Sequence, residues 1–92
     1  MIVCVQLFGL PSDITQLQSV DIELNDGAGL RDLIAALKHK IPALEGRVFR
    51  TGEDRLLPLY SFNVNGRFSS VEGEFQLQSG DNIALITLAS GG

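Results

Sequence analysis

The stretch SGDNIALITLASGG, residues 79–92, opens on a Gly80-Asp81 turn, passes through an aliphatic run and ends on two glycines. Ile83 to Leu88 is short and rich in β-branched and aliphatic residues, which favours a strand over a helix. Ile83, Leu85 and Thr87 alternate with Ala84, Ile86 and Leu88, so both faces of the strand are largely apolar. A strand of that kind is covered on both sides. One cover is the domain's own helix. The other is either a partner or the chain's own long connection. Ala89, Ser90, Gly91 and Gly92 then form a tail beyond the strand. Two closing glycines arise by chance in about one chain in two hundred, and their place directly after a strand makes chance the poorer explanation. Glycine has no Cβ to obstruct a narrow channel, so such a tail suits a carboxylate that must enter another protein's active site.

Working back from that strand, Phe62 to Val64 enters an Asn65-Gly66 turn, where both central positions must accept positive φ, and Arg67 and Phe68 begin the return. Leu77 is an isolated apolar anchor. At the other end of the chain, Ile2 to Phe8 (IVCVQLF) is a buried-strand run stopped by Gly9 and Pro11, with Val3, Val5 and Leu7 facing the core and Cys4 and Gln6 on the opposite face. Ser19 to Leu24 alternates, Val20, Ile22 and Leu24 inward and Asp21 and Glu23 outward, and pairs antiparallel with the first strand.

Between these strands, Leu30, Leu33, Ile34, Leu37 and Ile41 recur at helical spacing. Asp26 is a candidate N-cap. Lys38, His39 and Lys40 complement the carbonyl end of the helix dipole, and Pro42 stops the helix. Ala43 to Tyr60 has no sustained period and reads as a long connection holding one short strand or turn. The order is an α+β one, a mixed sheet packed on one main helix. The last strand lies parallel to the first, inside the sheet. Residues 1–88 are expected to form one domain and residues 89–92 a flexible tail.

Composition narrows the function. Ninety-two residues suffice for one core. A net charge of -4, with no basic run, disfavours nucleic acid. One cysteine and one histidine fall short of a structural metal set, and no leader or long apolar segment points to a membrane, so a reducing cytoplasm is expected. His39 reads as a solvated helix-end residue and Cys4 as a small buried apolar one, which leaves no catalytic constellation. Arg47, Arg50 and Arg55, with the helix-end lysines, are candidates for a basic surface.

The ending SGDNIALITLASGG, with Val64-Asn65-Gly66 and the anchor Leu77, resembles the MoaD/ThiS family of small sulfur carriers. The resemblance implies a β-grasp, ubiquitin-like fold. It also implies that an E1-like adenylyltransferase of the MoeB/ThiF type uses ATP and magnesium to adenylylate the Gly92 carboxylate, and that a sulfur donor protein converts it to a thiocarboxylate. The chain would then be a carrier rather than an enzyme, with no bound cofactor or metal. Gly92 would be the reacting group, and Gly91, Ser90, Ala89, Leu88 and Ile86 would meet the partners. The closest pattern is the molybdopterin synthase small subunit, which implies the large subunit of that enzyme as sulfur acceptor. Carriers for cysteine or thiamine biosynthesis are the alternatives, as is a ubiquitin-like protein modifier using the same tail. Leu88 and Thr87 stand where related tails often carry proline.

Overall fold

The computed structural model describes residues 1–69 and 76–88. Strands β1 (Ile2–Phe8) and β2 (Ser19–Glu23) precede helix α1 (Leu30–Lys40) and a 3-10 turn at Pro42–Leu44. Strands β3 (Tyr60–Val64), β4 (Arg67–Ser69) and β5 (Asn82–Thr87) complete a five-stranded sheet in the order β2-β1-β5-β3-β4. β5 is parallel to β1 and antiparallel to β3, so the last strand is central, as its two apolar faces require. The mixed sheet on a single main helix is the β-grasp arrangement.

Register explains the two faces. Val5 pairs with Val20 on one side and with Ile83 on the other, Ile83 pairs with Val64, and Leu85 lies between Leu7 and Phe62. Because side chains alternate along a strand, these residues share one face with Val3 and Ile22. All are buried. Leu30, Leu33, Ile34 and Leu37 of α1 are buried over that face. Cys4, Gln6, Phe8, Ala84, Ile86, Ser61 and Asn63 fall on the other.

The helix begins later than expected. Gly29 is its N-cap, and Asp32 rather than Asp26 supplies the carboxylate, its Oδ2 accepting the Gly29 backbone N–H at 2.9 Å. Three residues is the reach of a side chain folding back over the first turn. Asp26 stands 3.9 Å from the Met1 amine instead. Ile41 closes the helix as its C-cap, with its N–H donating to the Leu37 carbonyl at 2.8 Å.

The long connection carries its own apolar anchors. Leu44, Val48 and Phe49 are buried, and Phe49 stacks on Phe62 with ring centroids 6.1 Å apart. Since Phe62 belongs to the core face, the connection covers the side of the sheet already occupied by the helix. On the opposite face Cys4, Ala84 and Ile86 are half-buried and Phe8 is exposed. Isolated bridges join Phe49 to Glu45 and to Leu56, with turns between them, where one short strand or turn was expected. No helix among the described residues is long and apolar enough to cross a membrane.

Candidate functional site

The functional reading converges on the end of β5. Its last residues sit at the centre of the sheet, and the pairing with β3 continues one step beyond the strand. Leu88 N–H donates to the Leu59 carbonyl at 2.6 Å, and the Thr87 hydroxyl donates to the same oxygen at 3.4 Å. On the other flank β1 is followed by Gly9, which has φ +74°. A Cβ there would lie 2.8 Å from Thr87 Cγ2, so only glycine allows β1 to turn away this close to β5. The point at which the chain leaves the sheet is therefore held from both sides.

Exposed apolar residues surround that point. Phe8 at the end of β1 is 52% exposed, Leu59 before β3 is 56% exposed, and Leu88 is 53% exposed. Leu17, also exposed, precedes Gln18, whose carbonyl accepts the Leu7 N–H at 2.9 Å. Ile86 lies between Phe8 and Ser61 in register and is half-buried. Phe68, 65% exposed, pairs with Asn63, which pairs with Ala84. Next to Phe8, a shallow depression of about 290 Å³ is lined by Gln6, Phe8, Gln18 and Ser19. An uncovered apolar patch at a strand end is an association surface by its physical chemistry. Its aromatic and aliphatic members, rimmed by amides and hydroxyls, have the composition of an interface core.

The far end of β5 is built differently. Asn65 Nδ2 donates to Asp81 Oδ1 at 3.0 Å, and Asn65 Oδ1 accepts the Asn82 N–H at 2.9 Å. Asp81 Oδ2 takes the Gln78 N–H at 2.8 Å. Asn65, at φ 52°, thus fastens the β3–β4 turn to the turn entering β5. That polar clamp fixes the register of the central strand, and with it the position of Leu88.

Of the sequence-predicted site residues, Ile86 and Leu88 lie at the patch, while Ala89, Ser90, Gly91 and Gly92 lie outside the described residues. Phe8, Leu17, Leu59 and Phe68 were not anticipated. For Phe8 the signal was available, because the alternation that buries Val3, Val5 and Leu7 turns Phe8 outward. Leu17 and Leu59 carry no such periodicity.

Two members of the expected basic surface, Arg47 and Lys38, are engaged with acidic groups. Arg47 Nη1 donates to Asp13 Oδ2 at 2.7 Å. This hydrogen bond lowers the Asp13 pKa below its ordinary value, the local desolvation opposing it, and raises that of Arg47. Lys38 donates to the carbonyls of Arg50 and Glu53 and lies within 4.0 Å of Glu45 and Asp54. Lys38 thus fastens the connection, and Arg47 ties it to the loop that carries Asp13. Cys4 is half-buried on the outer face, His39 is exposed, and no group of three or more metal-capable side chains occurs among the described residues.

Comparison with known proteins gives this geometry a context. A model of the ThiS family matches residues 5–92. The fold is similar to that of SAMP1 from Haloferax volcanii, at 26% identity over 100% of both chains with a TM-score of 0.84. It is also similar to a putative molybdopterin converting factor, subunit 1, from Pyrococcus furiosus, at 30% identity over 94% of this chain and 95% of that one, TM-score 0.74. A protein-protein complex of subunits 1 and 2 of the molybdopterin-converting factor from Helicobacter pylori contains the same fold, at 24% identity over 100% of both chains, TM-score 0.61. No curated protein matches.

Proposed function

The chain belongs to the ThiS family, and from that premise we propose that it is a sulfur carrier whose Gly92 carboxylate is adenylylated and then converted to a thiocarboxylate. The observation that carries the reading is the exposed apolar patch around the end of the last strand, which offers a partner a grip at Leu88, the residue from which the sequence runs on to Gly91 and Gly92. The chemistry explains why activation is needed. A carboxylate is a poor electrophile. Attack of its oxygen on the α-phosphorus of magnesium-bound ATP, with loss of pyrophosphate, makes AMP the leaving group. A sulfide-level nucleophile from a donor protein then displaces AMP, and the ionised thiocarboxylate is itself a good sulfur nucleophile. The chain contributes a substrate group and a docking surface, while an E1-like enzyme of the MoeB/ThiF type supplies catalysis.

For the destination of the sulfur we propose molybdopterin biosynthesis, with a molybdopterin synthase large subunit as acceptor. The 30% identity to the Pyrococcus furiosus protein supports this reading, and the Helicobacter pylori complex offers a precedent for two-subunit assembly of this fold. Intact mass spectrometry of the chain with its activating enzyme, ATP, magnesium and a sulfur donor tests the carrier chemistry. One oxygen is replaced by sulfur; an unchanged mass under conditions that convert a control carrier would overturn the reading. Deletion of Gly92 abolishes the conversion and leaves cooperative unfolding intact.

A second reading is favoured by the likeness to SAMP1, a small archaeal modifier protein. The same activated Gly92 would then form an isopeptide bond with a target lysine. Lysine-linked adducts that survive thiols and hydroxylamine would select it over the carrier.

A further inference from the structure

Three members of the apolar patch come from three separate segments. Phe8 ends β1, Leu59 precedes β3 and Leu88 follows β5. All three are exposed, so burial of their own side chains does not set their spacing. The backbone beneath them must do so.

That backbone is tied together at Thr87. The Thr87 hydroxyl and the Leu88 N–H both donate to the Leu59 carbonyl, at 3.4 and 2.6 Å, which joins the end of β5 to the connection. On the other flank the pairing of β1 with β5 ends at Phe8 and Ile86, and one step further Gly9 approaches the Thr87 methyl. A Cβ on Gly9 would stand 2.8 Å from Thr87 Cγ2 and 3.9 Å from Thr87 Cβ. Carbon atoms in contact sit about 3.5–4.0 Å apart, so the two would have to separate by about 0.7 Å. The threonine cannot yield cheaply. Its branched Cβ restricts χ1, and turning the methyl away also takes the hydroxyl off the Leu59 carbonyl.

We propose that Gly9 is a positioning residue for partner recognition: by leaving room for the Thr87 methyl it holds Phe8, Leu59 and Leu88 at the spacing the activating enzyme reads. The assignment rests on the carrier reading, in which that enzyme grips the patch. Docking depends on the spacing, whereas the chemistry at the Gly92 carboxyl does not. Residues 89–92 can reach about 14 Å beyond Leu88, so a shift below about 1 Å at their root leaves the carboxyl within range of the same active site. A side chain at Gly9 therefore raises KM for the chain and spares kcat.

The test follows pyrophosphate release by the activating enzyme with magnesium ATP, at varied concentrations of the full chain, for the parent, Gly9→Ala and Gly52→Ala. Gly52 is the reference because its φ is +75° against +74° for Gly9, and an added Cβ there meets nothing within 4 Å. Both variants carry the same left-handed strain, and only one carries the clash. Gly9→Ala is expected to raise KM about tenfold with kcat within about twofold of the parent, and Gly52→Ala to leave both parameters unchanged. In a chain that also carries Thr87→Ser, which keeps the hydroxyl and removes the methyl, the same change at Gly9 raises KM by less than about threefold. Gly9→Asn adds the same Cβ on a residue that adopts left-handed backbone more readily, and gives the same rise in KM if the alanine variant fails to fold. Amide exchange supplies a readout without enzyme: Leu88 N–H exchanges faster in Gly9→Ala than in the parent or Gly52→Ala, because its bond to Leu59 loosens. A parent chain that releases no pyrophosphate counts against the carrier reading, and exchange at Leu88 then still decides whether Gly9 holds the patch together. Equal KM for Gly9→Ala and Gly52→Ala, a fall in kcat at constant KM, a rise in KM undiminished by Thr87→Ser, or unchanged exchange at Leu88 would overturn the proposal.

Discussion

Replacing Lys38 by methionine tests what holds the long connection in place. Methionine keeps most of the apolar stem and removes the charge and all three donors. The bonds lost are those to the Arg50 and Glu53 carbonyls. Hydrogen bonds from charged donors contribute about 1.5–3 kcal/mol when well shielded. Here both acceptors are at exposed positions, so about 1 kcal/mol each is the appropriate scale. The Glu45 and Asp54 side chains are 43% and 47% exposed, and solvent screening leaves the two ion pairs worth between zero and about 1 kcal/mol together. Better burial of the methionine end offsets part of the loss. The net is about 2 kcal/mol, which lowers the melting temperature of a domain this size by about 8–16 °C.

The location of the change is as informative as its size. Leu44, Val48 and Phe49 keep their burial, so near-ultraviolet circular dichroism of the variant should match the parent. Amide exchange should rise over residues 50–55, where Gly52 N–H is held by the exposed Glu45 carboxylate and Arg50 N–H by the Arg55 carbonyl. A melting temperature within about 2 °C of the parent, with unchanged exchange in that segment, would refute the view that Lys38 fastens the connection.

Asn65→Ala removes two side-chain bonds and leaves a Cβ-bearing residue at φ 52°, for an expected loss of about 2–3 kcal/mol in urea unfolding; a loss under about 0.5 kcal/mol would show the clamp to be idle. Asp13 has its folded pKa held below the unfolded value by Arg47, so the unfolded chain binds more protons in between. Its contribution is present above about pH 4 and is lost as pH falls through the folded value; Asp13→Asn should flatten that limb of the stability profile, and high salt should do the same in the parent. Phe8→Ser is expected to change stability by about 1 kcal/mol or less and to weaken binding of the activating enzyme about tenfold; unaltered affinity by calorimetry would remove the patch from the interface.

The strands and the helix were legible because their signals are local. Alternation in Ser19 to Leu24 and the spacing of Leu30, Leu33, Ile34 and Leu37 depend only on near neighbours, and each predicts its buried side in the fold. The doubly apolar β5 carried a longer-range implication, its central place beside β1, because apolar residues on both faces mark an interior strand more often than an edge one. The connection was opaque for the opposite reason. Its order comes from Phe49 reaching Phe62 and from Lys38 reaching across 12 and 15 residues to backbone oxygens, and a backbone acceptor leaves no trace in residue identity. The arginines misled in the same way. Arg47 and Asp13 are 34 residues apart, so the chain reads as a basic stretch where the fold holds a neutral pair.

The patch follows from where the last strand sits. Had β5 been an edge strand, a partner could have reached the glycines by pairing with a free edge alone. Because β1 and β3 flank it, a protein that takes hold of the end of β5 must also meet Phe8 and Leu17 on one side and Leu59 on the other. Those residues come from the end of a strand, from the loop that follows it and from the end of the long connection. Two of the three lie in segments that can change length and sequence without disturbing the core. A chain of this kind can therefore alter the footprint it offers while leaving the two glycines as they are. Recognition of the partner and delivery of the carboxylate are borne by adjacent but separately variable parts of one small sheet.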